Sequence, residues 1–134
     1  MESKAPPPRI ARIVLMAFAA TLLLKVFLVD LMIAEGRSML PTIRPGAVVL
    51  VNRAAYGLRM PILNGYLVNW GPPKTGDIVI FSAPDGVLAV KRFQESVGNN
   101  RFLAVGDNSE ESYDSRQYGS IAVDSILGKV IGIK

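Results

Sequence analysis

Ile78-Val79-Ile80-Phe81-Ser82-Ala83-Pro84-Asp85-Gly86-Val87-Leu88-Ala89-Val90-Lys91-Arg92-Phe93 places two apolar, β-branched runs on either side of Pro84-Asp85-Gly86. Such a tripeptide turns the chain sharply, so Ile78–Phe81 and Val87–Phe93 read as the arms of a tight antiparallel hairpin. Outward from it, Ala47–Asn52, Phe102–Val105 and Ile126–Ile133 have the same Val, Ile, Leu and Phe content. Pro45-Gly46 introduces the first of these, and Lys74-Thr75-Gly76-Asp77 introduces the hairpin itself. The spacing predicts an all-β domain, a small antiparallel coiled β-barrel or folded sheet. Residues 53–73 carry Gly57, Pro61, Gly65, Gly71, Pro72 and Pro73 and read as a long loop with one short strand near Tyr66–Asn69. Pro6-Pro7-Pro8 marks a loose tail.

The N-terminal part is different. Ile13–Val29 is apolar between Arg12 and Asp30, with Lys25 as its single charge. A hydrocarbon core of ~30 Å asks for roughly 20 residues, and about 17 suffice where flanking cations snorkel. The predicted organisation is a cytoplasmic tail at 1–9, a transmembrane helix at 10–30 and a β domain at 31–134. Lys4, Arg9 and Arg12 precede the span, which places the N-terminus inside a cytoplasmic (inner) membrane and the β domain on its extracytoplasmic, periplasmic face. A cleavable signal peptide competes with this reading. However, Ala17-Phe18-Ala19 lies inside the apolar run, and Met32-Ile33-Ala34 puts a large residue where a small one belongs. A buried helix of a soluble protein would need packing partners that the mostly strand-like remainder does not supply.

Fifteen Lys and Arg against eleven Asp and Glu give a net charge of +4, spread over the chain rather than clustered. That argues against a nucleic-acid partner. There is no cysteine and no histidine, so disulfides, thiolate chemistry and the usual zinc sites are excluded and only an all-oxygen metal site is left. The polar run Gly106-Asp107-Asn108-Ser109-Glu110-Glu111-Ser112-Tyr113-Asp114-Ser115-Arg116 lacks the D-x-D-x-D-G spacing of a calcium loop. No cofactor or metal is expected.

The missing histidine sharpens the chemistry. Ser38 lies between Gly36, which frees the backbone, and Pro41, which shapes the turn, so its hydroxyl and amide can point one way. A nucleophilic serine here must give its proton to a carboxylate, a lysine or a terminal amine. Lys91 suits that task, because on an extended strand it shares a face with Ala89 and Phe93, with Val87 beyond. Desolvation among such groups disfavours its charged form. Arg92 points the opposite way and should stay a salt-bridging cation. In the polar run, Asp114 and Arg116 can pair, and Ser112 can orient a neighbouring lysine. Blander readings exist for each: a charged edge-strand residue that blocks sheet association, an ordinary turn serine and a solvated loop.

Taken together, Ser38-Met39-Leu40-Pro41-Thr42, Gly76-Asp77-Ile78-Val79-Ile80-Phe81, Val90-Lys91-Arg92 and Gly106-Asp107-Asn108 with Ser112 to Gly119 resemble, in that order, the boxes of the type I signal peptidase family. The resemblance covers nearly all of residues 10–133. It implies a membrane-bound Ser/Lys-dyad endopeptidase that removes signal peptides from exported preproteins through an acyl-enzyme. By position Ser38 resembles the nucleophile and Lys91 the general base, with Ser112 orienting the lysine and Asp114 and Arg116 bracing that region. The Ser38 amide would be one oxyanion donor. Some members carry a hydroxyl at the position of Gly36, so the second donor is open. The implied partners are preproteins with small residues at −1 and −3 and the bilayer; whether an accessory partner completes the docking surface is left open by the sequence.

The chain departs from the family pattern after Arg92, where Phe93-Gln94-Glu95-Ser96-Val97-Gly98-Asn99-Asn100 replaces an aliphatic run and Pro-Gly-Asp, and where the inserted β-subdomain of longer members is missing. Ser109 stands where arginine is common. Alternatives that keep the dyad are a specialised or conjugation-type processing peptidase and a self-cleaving repressor, which would need a DNA-binding module in place of the anchor. A membrane-tethered, non-catalytic β binding module is a different class, and it gives no reason to bury a lysine.

Overall fold

The computed structural model describes residues 8–60 and 65–134. Helix α1 (Arg9–Phe27) leads into β1 (Val29–Ile33), followed by β2 (Val48–Asn52), β3 (Gly57–Arg59), β4 (Tyr66–Asn69), β5 (Ile78–Ser82), β6 (Leu88–Val97) and β7 (Arg101–Val105). Then come the short helix α2 (Ser115–Tyr118), β8 (Ile121–Ala122), a 3-10 turn at Val123–Ser125 and β9 (Ile126–Ile133). Seven strands form one antiparallel sheet in the order β1-β2-β9-β5-β6-β7-β8, and β3 pairs with β4 separately. Register shifts at Leu50/Val51, Ile80/Phe81 and Phe93/Glu95 are bulges that bend and twist their strands. The sheet curls as a half-barrel. The all-β expectation therefore holds in its folded-sheet form, with β1 and β8 left as edges.

The hairpin forms as its sequence requires. The Gly86 amide donates to the Ala83 carbonyl at 2.8 Å and the Ala83 amide to the Val87 carbonyl at 2.9 Å, with Gly86 in the left-handed region at φ +81. Strand β6 starts at Leu88, so Val87 belongs to the turn and is exposed instead of extending the Lys91 face. Successive residues of β5 face opposite ways. Val79 and Phe81 join one apolar cluster with Phe93, Phe102 and Ile126, while Ile80 joins another with Met39, Ile43, Val49 and Val51. Being covered on both faces explains why β5 reads as an unbroken apolar run.

The transmembrane helix expected at 10–30 is not borne out by the helix that forms. The helix stops at Phe27, and Val29 and Asp30 open β1 instead, in register with Asn52 and Val51. Asp30 also bridges Arg53 at 3.3 Å. Among the described residues no helix is long and apolar enough to cross a membrane. Within α1 the uninterrupted apolar stretch between Arg12 and Lys25 covers only ~18 Å at 1.5 Å per residue. Its side chains are nonetheless uncovered, Ile13, Leu15 and Phe18 each being about two-thirds exposed. Residues 1–7 of the expected tail, Lys4 and Pro6-Pro7 among them, lie outside the described residues, as does Pro61 of the expected loop.

One further strand interrupts what the sequence presents as loop, and one expected strand is longer than the sequence suggests. Strand β3 pairs with β4 inside residues 53–73. Strand β6 runs past Phe93 to Val97 and returns through Gly98-Asn99-Asn100 into β7. Asn99 and Asn100 sit at φ 62 and 58, a left-handed conformation that asparagine tolerates better than most residues.

Candidate active site

Beyond β1 the chain turns at Gly36, whose φ of +80 is reached cheaply only by glycine. The turn that follows is closed by the Leu40 amide donating to the Arg37 carbonyl and the Ile43 amide to the Met39 carbonyl, at 3.2 and 2.9 Å. The Leu40–Pro41 peptide bond is cis. Met39 and Ile43 are buried in the second apolar cluster, so this turn is pinned from below while Ser38 stays half-buried above it. The Ser38 carbonyl accepts the Asn108 amide at 2.9 Å, and Asn108 Nδ2 donates to the Arg37 carbonyl at 3.0 Å.

Lys91 stands on β6 opposite Val79, on the face of Ala89 and Phe93 as strand periodicity demands. It is only 6% exposed. Burial pulls its pKa below the ordinary lysine range; the Asp114 carboxylate opposes this and the Arg116 guanidinium adds to it. Lys91 Nζ donates to Ser112 Oγ at 3.2 Å, and the Ser112 hydroxyl in turn donates to Asp114 Oδ2. Asp114 is fully buried and also accepts from the Gly106 amide at 2.7 Å and from Arg116 Nε and Nη2 at 2.9 and 2.6 Å. Burial alone would raise the pKa of this carboxyl. The hydrogen bonds from Arg116, Ser112 and Gly106 outweigh it and hold the group well below the usual carboxylate range. The same carboxylate caps α2 by accepting the Arg116 amide at 3.1 Å, while Gln117 Oε1 accepts the Asp114 amide.

Ser38 and Lys91 line one cleft of about 460 Å³, with Ile33 to Gly36 on one side and Val87 to Val90 on the other. Gly36 borders it with open space where a side chain would stand. Ser112, Asp114 and Arg116 lie behind Lys91, linked as described, and Arg92 faces away from it to pair with Asp107.

Three features were not singled out by the sequence. At Gly106 an added Cβ would run into Ser112 Oγ and the Ser38 carbonyl; this glycine is where the two halves of the site touch. Tyr113 and Tyr118, ring centroids 5.3 Å apart, also border the cleft. Asp107, quoted only as part of the polar run, bonds to both Thr42 and Arg92. Gly106, Asp107 and Tyr113 left a trace in the sequence, as members of the polar run.

A family model described as signal peptidase, peptidase S26, matches residues 8–94 and 88–133. Signal peptidase I of Pseudomonas aeruginosa is 31% identical over 115 residues, covering 83% of this chain and 38% of that protein. The Haemophilus influenzae signal peptidase I is 29% identical over 111 residues, 83% of this chain and 30% of the relative. Signal peptidase I of Bacillus caldolyticus is 24% identical over 146 residues, with 80% of each chain covered. The chain thus spans well under half the length of the first two relatives.

Proposed function

The chain belongs to the signal peptidase family, peptidase S26, and on that footing we propose that it is a membrane-attached serine endopeptidase that cleaves signal peptides from exported preproteins. Ser38 is the nucleophile and Lys91 the general base. The observation that carries this reading is a lysine buried to 6% exposure, depressed in pKa and opening on the same cleft as Ser38.

An uncharged Lys91 has two N–H bonds and one lone pair. Ser112 Oγ accepts one of those N–H bonds, and its own proton is committed to Asp114, so Ser112 does not compete for the lone pair. The lone pair takes the Ser38 proton as Oγ attacks the scissile carbonyl, and the resulting ammonium returns it to the leaving amine. Water, activated by the same amine, then hydrolyses the acyl-enzyme. The Ser38 amide supplies one oxyanion donor.

Membrane attachment rests on two apolar surfaces. One is α1, with Arg12 and Lys25 able to snorkel at its ends. The other is the outward face of the first sheet edge, where Leu31, Ile33 and Val48 are exposed on paired strands. Together they set the β domain against the lipid, where an anchored preprotein would present its cleavage site at high effective concentration.

The test is a pH–rate profile on a preprotein with small residues at −3 and −1, with Ser38→Ala and Lys91→Ala as controls. Since the unprotonated lysine is the active form, kcat/KM should climb about tenfold per pH unit until it passes the depressed lysine pKa, then level off. A profile flat across that range, or full activity in either control, ends the dyad assignment.

Gly106→Ala gives a separate check. Its methyl group must displace both Ser112 Oγ and the Ser38 carbonyl, and the carbonyl is backbone. We expect a stability loss of about 1–3 kcal/mol by overpacking, read from a urea melt. The accompanying drop in kcat/KM should be about tenfold or more, because both halves of the site shift.

A further inference from the structure

A second, smaller hollow of about 90 Å³ adjoins the catalytic cleft and shares Met32, Ile80 and Leu88 with it. Val51 and Leu127 supply the rest of its apolar wall, and Asp30 and Arg53, bridged at 3.3 Å, close its far end. Strand β1 fixes how the two spaces lie. Asp30 and Met32 are two apart and share a face of that strand; Met32 lines both spaces, Asp30 only the hollow, and Ala34 and Gly36, further on, only the cleft. Going back along β1 from Ser38 therefore leads out of the cleft, into the hollow and on to the end of α1, where the Arg53 amide donates to the Leu28 carbonyl at 2.8 Å. We propose that this hollow is a further substrate subsite, one that takes an aliphatic side chain of the preprotein at −5.

This rests on the preprotein reading above and deepens it. A peptide extended along β1 turns alternate side chains to one face, so the small residues at −1 and −3 are followed on that face by −5, while −2 and −4 point away. The direction follows from the lipid. The apolar part of a signal peptide precedes its cleavage site, and the hollow lies on the α1 side of the cleft. The wall then selects the side chain. Val51 and Ile80 are buried, and Asp30 and Arg53 satisfy one another, which leaves no free charge to draw an acidic or basic residue. A space of about 90 Å³ is well below the ~150 Å³ cavity that admits benzene, so it suits Leu, Ile or Val better than an aromatic ring. Filling it removes apolar surface from water on both partners.

The experiment uses the full chain in detergent micelles and a set of preproteins with Ala at −3 and −1 that differ only in carrying Leu or Ser at −5 or at −4. Replacing Leu by Ser at −5 should lower kcat/KM about tenfold, and the same change at −4 should leave it within about twofold. Leu127 lines the hollow and not the cleft. Leu127→Phe, which fills the hollow, should therefore shrink the −5 preference to about twofold and still cleave the preprotein with Ser at −5 at the wild-type rate. If Leu127→Phe does not fold, the comparison of −5 with −4 in the wild type decides alone. Equal rates for Leu and Ser at −5, an equal loss at −4, or an undiminished preference in Leu127→Phe would overturn the subsite and leave the peptidase reading standing. p-Nitrophenyl acetate, an activated ester that reports acylation of Ser38 without a docking requirement, separates the other failures. Acylation by the ester with every preprotein left intact overturns the substrate assignment and the subsite with it, and no reaction with either overturns the dyad as well.

Discussion

Lys91→Met should abolish turnover and stabilise the fold at the same time. Methionine matches the length and shape of the lysine stem but offers no lone pair to Ser38, so kcat/KM should fall by about 10⁴-fold, the upper range for losing a general base. Lys91→Arg should fail equally, since a guanidinium stays protonated. The stability change has a definite sign. The unfolded lysine keeps its ordinary pKa and the folded one lies below it, so between the two values the unfolded chain binds more protons. Wild-type stability must therefore rise with pH through that window, and below it the lysine is a net cost. Lys91→Met lacks the group, so its urea midpoint should be higher than wild type at neutral pH and should show less of that rise. Parallel pH dependence in the two proteins would mean that the amine is not desolvated.

Asp114→Ala is expected to have the largest effect on stability. The carboxylate is fully buried and receives the Gly106 amide, the Ser112 hydroxyl and both the backbone and the side chain of Arg116. Removing it leaves buried donors unpaired and uncaps α2, while Arg116, which is partly exposed, can turn to water. We expect a loss of about 2–4 kcal/mol in urea. Because its folded pKa is depressed, Asp114 stabilises the fold above the ordinary carboxylate range, and that contribution disappears as pH falls below it. Asp114→Asn should accordingly unfold with a shallower acid dependence than wild type. A wild-type midpoint in Asp114→Ala would show that the network is dispensable to the fold.

The strands and the hairpin were legible because they are local: Pro84-Asp85-Gly86 carries its turn in three residues, and β5 and β9 announce themselves by composition. Strand β1 was not, since Val29 closes the apolar run of α1, Asp30 alone parts it from Leu31–Ile33, and hydropathy does not separate a helix from a strand. The end of β6 was missed for the opposite reason, since Gln94, Glu95 and Ser96 are exposed and give no alternation to read. At the site, Ser38 and Lys91 stood out through the lack of any histidine, and Ser112 and Asp114 through the resemblance. The Thr42–Asp107–Arg92 contact could not be read. It depends on register and on three segments meeting, and no one of these residues names its partners by itself.

The Gly98-Asn99-Asn100 turn makes this a natural splice point. All three residues are exposed, and none of them lines the cleft. Closing a longer loop costs only ~0.6 kcal/mol for each doubling of its length. A folded passenger inserted there should be tolerated by β6 and β7 with their pairing intact, hanging from a turn that contributes nothing to the cleft wall.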